Sequence, residues 1–467
     1  MSSTKKAKDH GRPPEARRHL SFDPLVKRIR QRAEAIPDTR ARRCEFSLPD
    51  AIMSAFAMFS LKDPSLLAFD KRRNDANIRN LYQVEQVPSD THLREMLDPV
   101  AHQQFYPMYN DVFRAIQRGK ALRRFVFHEG CYLLSVDGTQ YFRSEKVHCS
   151  SCLSSTDPRG KVTYSHQFLG AAIVHPDMRT VLPFAPEPII KQDGNNKNDC
   201  ERNGAKRLLE RIRREHPHLP LIVVEDGLAS NAPHIRLLKE LNMHFLLVAK
   251  PDDHRHLFQE VTKAIDEDRY TTISWYPEDR PEVLCEIGFV LDVPLNQGNP
   301  DLRVNFLCYT EYGANAELLL QISWVTDLEI TTDNACHLVR GGRARWKIEN
   351  ETFNTLKNQG YHVEHNFGHG KENLSVVFLM LMVLAFLIDQ TQELCCGQFQ
   401  AVLQKAGSRR YLWDCLRSHF RHFRFASMWH LYEVMLHDRA KELPAPGLSL
   451  HRYACCRPPP LIYPVLT

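Results

Sequence analysis

The spacing of apolar and polar positions changes character along the chain. From Leu48 to about Lys120, apolar residues recur every three or four positions through "LPDAIMSAFAMFSL", "SDTHLREML" and "QQFYPMYNDVFRAIQRGK". That period predicts helices, with Ser or Asp capping the second. Past residue 125 the runs turn β-like. "FHEGCYLLSVDGTQYF" reads as a strand ending near Asp137, "TYSHQFLGAAIVHP" as a second and "TVLPFAPEPII" as a third. "KNDCERNGAKRLLERIRREHP" is an amphipathic helix stopped by Pro217. "LPLIVVEDG" and "HFLLVAK", with the helix "APHIRLLKELN" between them, are short apolar runs of the kind buried on both faces of a sheet. The order β-β-β-α-β-α-β is a hairpin meander followed by parallel crossovers, which predicts a mixed sheet covered by helices.

Residues 251–329 break this rhythm with prolines, Trp275, Trp324 and short alternating runs, and read as a β-rich insertion. "TTDNACHLVRGG" predicts a short capped helix and a Gly turn, and "RARWKIENETFNTLKNQG" a longer helix ending at Gly360. The most apolar window, residues 375–388, has 14 residues. A bilayer span needs roughly 20, so a buried core helix is expected and no membrane partner. An aromatic- and Arg-rich helical region follows, then a loose Pro-rich end. The division expected is a basic flexible arm (1–45), a helical DNA-binding module (46–124), a first core segment (125–250), the insertion (251–329), a second core segment (330–395) and a helical C-terminal region with its tail (396–467).

Composition adds two things. Hydrophobic content of 43% and charged content of 25% are those of a soluble globular protein. The net charge is +5, yet residues 1–43 hold 13 Lys or Arg against 5 Asp or Glu, or +8, leaving −3 for the rest. A basic arm ahead of a near-neutral body points to a polyanionic partner, or else to a solvated tail. The 13 cysteines are odd in number and scattered, and no signal peptide is visible, which fits reduced thiols in a cytoplasmic protein.

The candidate chemistry lies in three acids. Asp137 ends the first strand and Asp226 the fourth, which the strand order makes parallel neighbours. Ligands gather at the carboxyl ends of such strands. Two facing carboxylates repel unless a hard divalent cation lies between them. A helix could add Glu349 or Glu351, but two residues apart they point about 200° apart, so only one faces the sheet.

"SVDGTQ", "VVEDGLASN" and "RARWKIENETFNTLKNQGYHVEHNFGHGK" together resemble the DDE transposases of bacterial insertion sequences, closest to the insertion-sequence-four-like group with its Tyr-Arg-Glu-Lys signature. The resemblance implies an α/β fold: an RNase H-like mixed five-stranded sheet flanked by helices, with a β-rich insertion and an all-helical N-terminal module. It makes Asp137, Asp226 and Glu349 the catalytic, metal-binding triad for two Mg²⁺ (or Mn²⁺) ions, with 123 residues separating the second acid from the third. Arg345, one helical turn before Glu349, would contact phosphate, as would Lys357 and Arg343. Trp324 could stack a flipped end base, or be a core tryptophan. The signature's Tyr falls on Gly342 and its Lys on Leu356, one position short of Lys357. The implied activity is cleavage at the element's own ends and strand transfer into target DNA. The partners are double-stranded terminal inverted repeats and target DNA, bound by a homodimer on paired ends in the bacterial cytoplasm, associated with the nucleoid. A catalytically silent DNA-binding derivative and a metal-dependent nuclease without strand transfer are the alternatives.

Two further constellations stand outside the triad. His148, Cys149 and Cys152 have half the spacing of a structural Zn²⁺ site, which His166 or Cys200 would have to help complete. No second Cys pair follows, and free thiols in a hairpin loop are the preferred reading. His362, His365 and His369 lie beyond Gly360, where the helix should end, and read as polar or phosphate-contacting loop residues. Asp193, Asp199 and Glu201 read as helix-capping acids and as the rivals of Asp226.

Overall fold

The computed structural model describes residues 18–38, 40, 45–191 and 199–437. Among them, strands β1 (Val126–His128), β2 (Cys131–Ser144), β3 (Leu153–Thr156), β4 (Val162–Val174), β5 (Leu182–Pro183), β6 (Glu187–Ile189), β7 (Leu221–Glu225), β8 (His244–Ala249), β9 (Thr271–Trp275), β10 (Leu284–Asn296), β11 (Asn299–Tyr312) and β12 (Leu318–Thr326) form one mixed sheet. Its order is β3-β4-β2-β7-β8-β12-β11-β10-β9, with β1 on β2, and β5 and β6 on β4.

β2 pairs antiparallel with β4 and parallel with β7, in the register Tyr132↔Leu221 to Ser135↔Val224, as the strand order predicts. β7 and β8 are also parallel. Two features differ from expectation. The third strand, expected over 180–190, is reduced to the two short segments β5 and β6. Pro183, Pro186 and Pro188 remove the amide donors a continuous ladder needs. The sheet also exceeds the five strands expected. β12 pairs antiparallel with β8, so β9 to β12 extend the core sheet beyond five strands and cover the edge that β8 would otherwise expose.

The helices close around this sheet. Helix Leu374–Cys395 is long and apolar enough to cross a membrane by length and composition, but it is buried inside the protein. It packs against helix Leu48–Ser60, whose N-cap Ser47 accepts a bond from the Asp50 amide. Each fully buried Leu or Phe in this seam contributes about 1.5–3 kcal/mol. One ion pair is sealed within it. Lys62 meets Asp389, donates to the Ser60 carbonyl at 2.8 Å, and lies over the Trp413 ring. Burial pulls the Lys62 amine down and pushes the Asp389 carboxyl up, and their mutual attraction opposes both shifts.

Part of the expected basic arm is folded. Phe22–Glu34 is a helix that buries Phe22, Leu25, Val26 and Ile29. Their spacing of three, one and three is a helical stripe that the surrounding basic residues obscure. Residues 1–17 and the Pro-rich end, 438–467, lie outside the described residues.

Candidate active site

Asp137 lies two residues beyond Ser135, and Asp226 two beyond Val224, the last paired residues of the parallel β2–β7 ladder. Asp137 does not end its strand as expected, since β2 runs on to Ser144 in its pairing with β4; Asp226 follows the end of β7 at the same level, and neighbouring strands are about 4.8 Å apart. Both line one cleft of about 390 Å³, together with Glu201, Lys206 and Asn231. Asp226 caps the short turn Gly227–Ala229, accepting from the Leu228 amide at 3.0 Å. Asp137 accepts from the Gly138 amide at 2.8 Å.

The third acid comes from the segment that crosses one sheet face. Ser135 Oγ donates to the Arg345 carbonyl at 2.9 Å, which anchors that segment beside β2. Asp137 pairs with Gly170 across β2 and β4, and a Cβ at Gly170 would come within 2.8 Å of the Phe353 ring. The bare glycine lets the segment sit close. Glu349 lies in a π-helical turn, Ile348–Phe353, a geometry that recurs at functional sites. Arg345 Nη1 reaches Glu349 Oε1 at 2.9 Å and Asp137 Oδ2 at 3.4 Å. Burial lowers the Arg409 guanidinium's hold on its proton, and Glu393, then Tyr361 and Glu351, outweigh it, which sets Glu351 near Arg409.

Helix Ala335–Arg343 runs on through Gly341 and Gly342, where a turn was expected. Both glycines are used for close packing. A Cβ at Gly341 would meet Phe127 at 2.7 Å, and one at Gly342 would meet the Trp324 indole at 2.5 Å. Trp324 thus fills the space a side chain at the signature's Tyr position would need. It is 0% exposed, which agrees with its reading as a core tryptophan and not with the alternative of a DNA contact. The exposed aromatic at this site is Trp346, 49% exposed, with the Arg345 guanidinium over its ring at 4.5 Å.

Other expected residues have other partners. Lys357 pairs with Glu364 at 3.0 Å. Arg343 lies 3.8 Å from Glu311 and over the Tyr309 ring. His148 stacks on Tyr164 at 4.3 Å and stays apart from the two cysteines it was grouped with. Cys149, Cys152 and His166 do converge, joined by His369 rather than by His148 or Cys200. Cys200 is exposed at the head of helix Glu201–Glu215.

Glu201 is the acid that spacing undervalued. It has the helix-start position expected of a dipole partner, yet a Cβ on Gly138 would touch its carboxylate at 2.4 Å. It approaches β2 from the face opposite Glu349. Burial and then Asp226 raise its carboxyl above the usual range. Asp199 is bound instead to Arg207 at 2.7 Å, and Asp193 lies outside the described residues.

Burial pushes the Asp137 carboxyl up to about 7, and Glu349 beside it adds to the rise, while the Gly138 amide and Arg345 oppose it. Negative charge is in excess here, and a divalent cation would relieve it. Carboxylate oxygens from a strand interior, a strand end and a helical turn are hard donors of the type Mg²⁺ and Mn²⁺ prefer, so their chemistry fits such an ion, while Arg345 stands between Asp137 and Glu349 and Glu349 lies outside the cleft shared by the two aspartates.

A family model described as Transposase DDE domain matches residues 153–388, half of the 467-residue chain. The chain belongs to that family. It is therefore a transposase, a protein of mobile elements that carries out DNA transposition by recombination. The match includes Asp226 and Glu349 and begins after Asp137. No curated protein matches the chain.

Proposed function

We propose that the transposase cleaves DNA at the ends of its own element and transfers the freed strand into target DNA, with Asp137, Asp226 and Glu349 as the metal-binding catalytic acids of an RNase H-like core. One observation carries the reading: Asp137 within β2 and Asp226 just past β7 lie at one level on adjacent parallel strands and share a cleft, while Asp137 and Glu349 are bridged by Arg345. Divalent ions held by these acids would supply an activated nucleophile and stabilise the leaving oxygen.

The chain's own residues do the rest. Asp137, holding its proton up to about pH 7 in the free protein, is set to exchange that proton for a cation. Arg345 sits against both Asp137 and Glu349 and supplies positive charge where a scissile phosphate would enter. Lys357 pairs with the exposed Glu364, a contact worth about 0–1 kcal/mol, and Arg343 lies half-exposed 3.8 Å from the buried Glu311, which Arg280 already holds at 2.9 Å, so each cation can be redirected to the DNA backbone. Hydrolysis forms a P–O bond from water and breaks the P–O3′ bond. Strand transfer repeats the displacement with the freed 3′-OH as nucleophile. We place the chain in the insertion-sequence-four-like group on Arg345 and Glu349, and read it as a homodimer acting on paired terminal repeats.

The test is a DNA duplex ending in the element's terminal repeat, incubated with the protein and Mg²⁺ or Mn²⁺. Nicked ends followed by joined products support the reading. Nicking without joining would make the protein a nuclease, and retention of the duplex without any nicking would make it a DNA-binding derivative.

A further inference from the structure

We infer that Cys149, Cys152, His166 and His369 form a closed structural Zn²⁺ site, separate from the three acids. The four donor atoms lie within 4.8 Å of one another and all four residues are buried. The Cys149 and Cys152 sulfurs are 3.8 Å apart. His166 Nε2 lies 3.3 Å from Cys149 Sγ and 3.4 Å from Cys152 Sγ, and His369 Nε2 lies 3.2 Å from Cys152 Sγ. Bonds of about 2.3 Å to sulfur and about 2.0 Å to nitrogen, set at tetrahedral angles, give donor–donor edges of about 3.3–3.8 Å. These four separations fall on or close to those edges, and the remaining two pairs lie within 4.8 Å.

Thiols and Nε2–H groups can also hydrogen-bond one another; what marks a metal site is the gathering of four donor atoms in one buried cluster. The ring orientations also suit metal binding. Nε2 of both histidines is aimed at the sulfurs; a metal there would leave the proton on each buried Nδ1, which has no hydrogen-bond partner and so orients neither ring. Aromatic packing fixes the rings: Tyr141 stacks on His166, and Phe142 lies 4.3 Å from His369. Two thiolates with two imidazoles, tetrahedral and closed to solvent, select Zn²⁺ as a structural ion rather than Mg²⁺.

The site's position gives it a purpose. Cys149 and Cys152 lie in the turn that follows β2, the strand of Asp137, and His166 is in β4. His369 comes from the loop after the Glu349 segment, 203 residues beyond His166. The same turn is stapled to that loop by Ser150 and Ser151, whose hydroxyls donate to the carbonyls of Lys371 and Glu372 at 3.2 and 3.1 Å. Asp98 in turn accepts four amides from Lys371 to Leu374, tying the N-terminal helices to the same node. Zinc would lock the hairpin of one acid to the loop that follows another.

The experiment uses the full chain, expressed with added zinc and purified without chelator. Elemental analysis should give one equivalent of Zn²⁺ per chain in the wild type and in Asp137→Ala. Cys149→Ser/Cys152→Ser and His369→Ala should lose it. Because those variants could misfold, the wild type refilled with Co²⁺ supplies an independent readout: tetrahedral d–d bands and a thiolate charge-transfer band that added Zn²⁺ removes. Zinc at background level in the wild type, an octahedral cobalt spectrum, or undiminished zinc in the double cysteine variant would each overturn the inference. Zinc that disappears in Asp137→Ala would place the ion at the acids and overturn it as well.

Discussion

Asp137 offers a test of the site's electrostatics that needs no DNA. Its carboxyl, near 3.8 in an unfolded chain, is pushed to about 7 in the folded protein, mainly by burial. The folded state therefore keeps a proton that the unfolded state has already released. Stability from this group is fully present below pH 3.8 and is lost as pH rises to about 7, in protein free of divalent ions. At about 1.4 kcal/mol per tenfold change the full span is worth roughly 4 kcal/mol. The side chain is 24% exposed, and solvent reduces the figure to about 2–4 kcal/mol. With 467 residues and about 2.1 cal/mol/K per residue, the unfolding entropy is about 1 kcal/mol/K, so the effect on Tm is about 2–4 °C. Asp137→Asn cannot titrate. The variant's Tm relative to wild type should rise by about that amount between pH 4 and pH 8. Magnesium at pH 8 should narrow the gap by binding wild type alone. Ions are removed by dialysis without chelator, so that a zinc site stays filled. A difference in Tm that does not change with pH would refute the reasoning, as would one of opposite slope.

Other outcomes follow from the packing. Trp324→Ala should cost about 3–5 kcal/mol, read by denaturant unfolding, while Trp324→Phe costs less, because the indole fills a core space against Gly342. An unchanged stability with lost DNA binding would return Trp324 to the DNA surface. Lys62→Met should cost about 3–5 kcal/mol by leaving Asp389 buried without its counter-ion, held by the Tyr361 hydroxyl alone, and Lys62→Met/Asp389→Leu with Tyr361→Phe should recover most of it. Chelation of zinc should lower the Tm of the wild type and leave that of Cys149→Ser/Cys152→Ser unchanged. Gly170→Val should displace the Phe353 segment and lower cleavage more than it lowers Tm.

The strand order that brings Asp137 beside Asp226 was legible because apolar runs of five or six residues, separated by one helix each, admit few topologies. The helical turn between Arg345 and Glu349 was legible from their spacing. Three things were not. Trp324 faces inward because Gly342, 18 residues later, leaves it room, and no local period encodes that fit. His369 joins a cysteine pair more than 200 residues upstream, so the metal-ligand spacing that flags a local zinc site is absent. Glu201 sits where a helix-dipole acid belongs, and only the approach of that helix to Gly138 brings it to the cleft. Each depends on long-range packing, whereas the legible features depend on period and order.

The central claim, that Asp137, Asp226 and Glu349 form the catalytic set, is tested most directly by single-strand cleavage of a labelled terminal-repeat duplex in Mg²⁺. Asp137→Asn, Asp226→Asn and Glu349→Gln, each shown to be folded, should cleave more slowly than wild type by about 10³-fold or more, while Glu351→Gln cleaves near the wild-type rate. Wild-type cleavage by any of the first three, or equal loss in Glu351→Gln, would contradict the assignment.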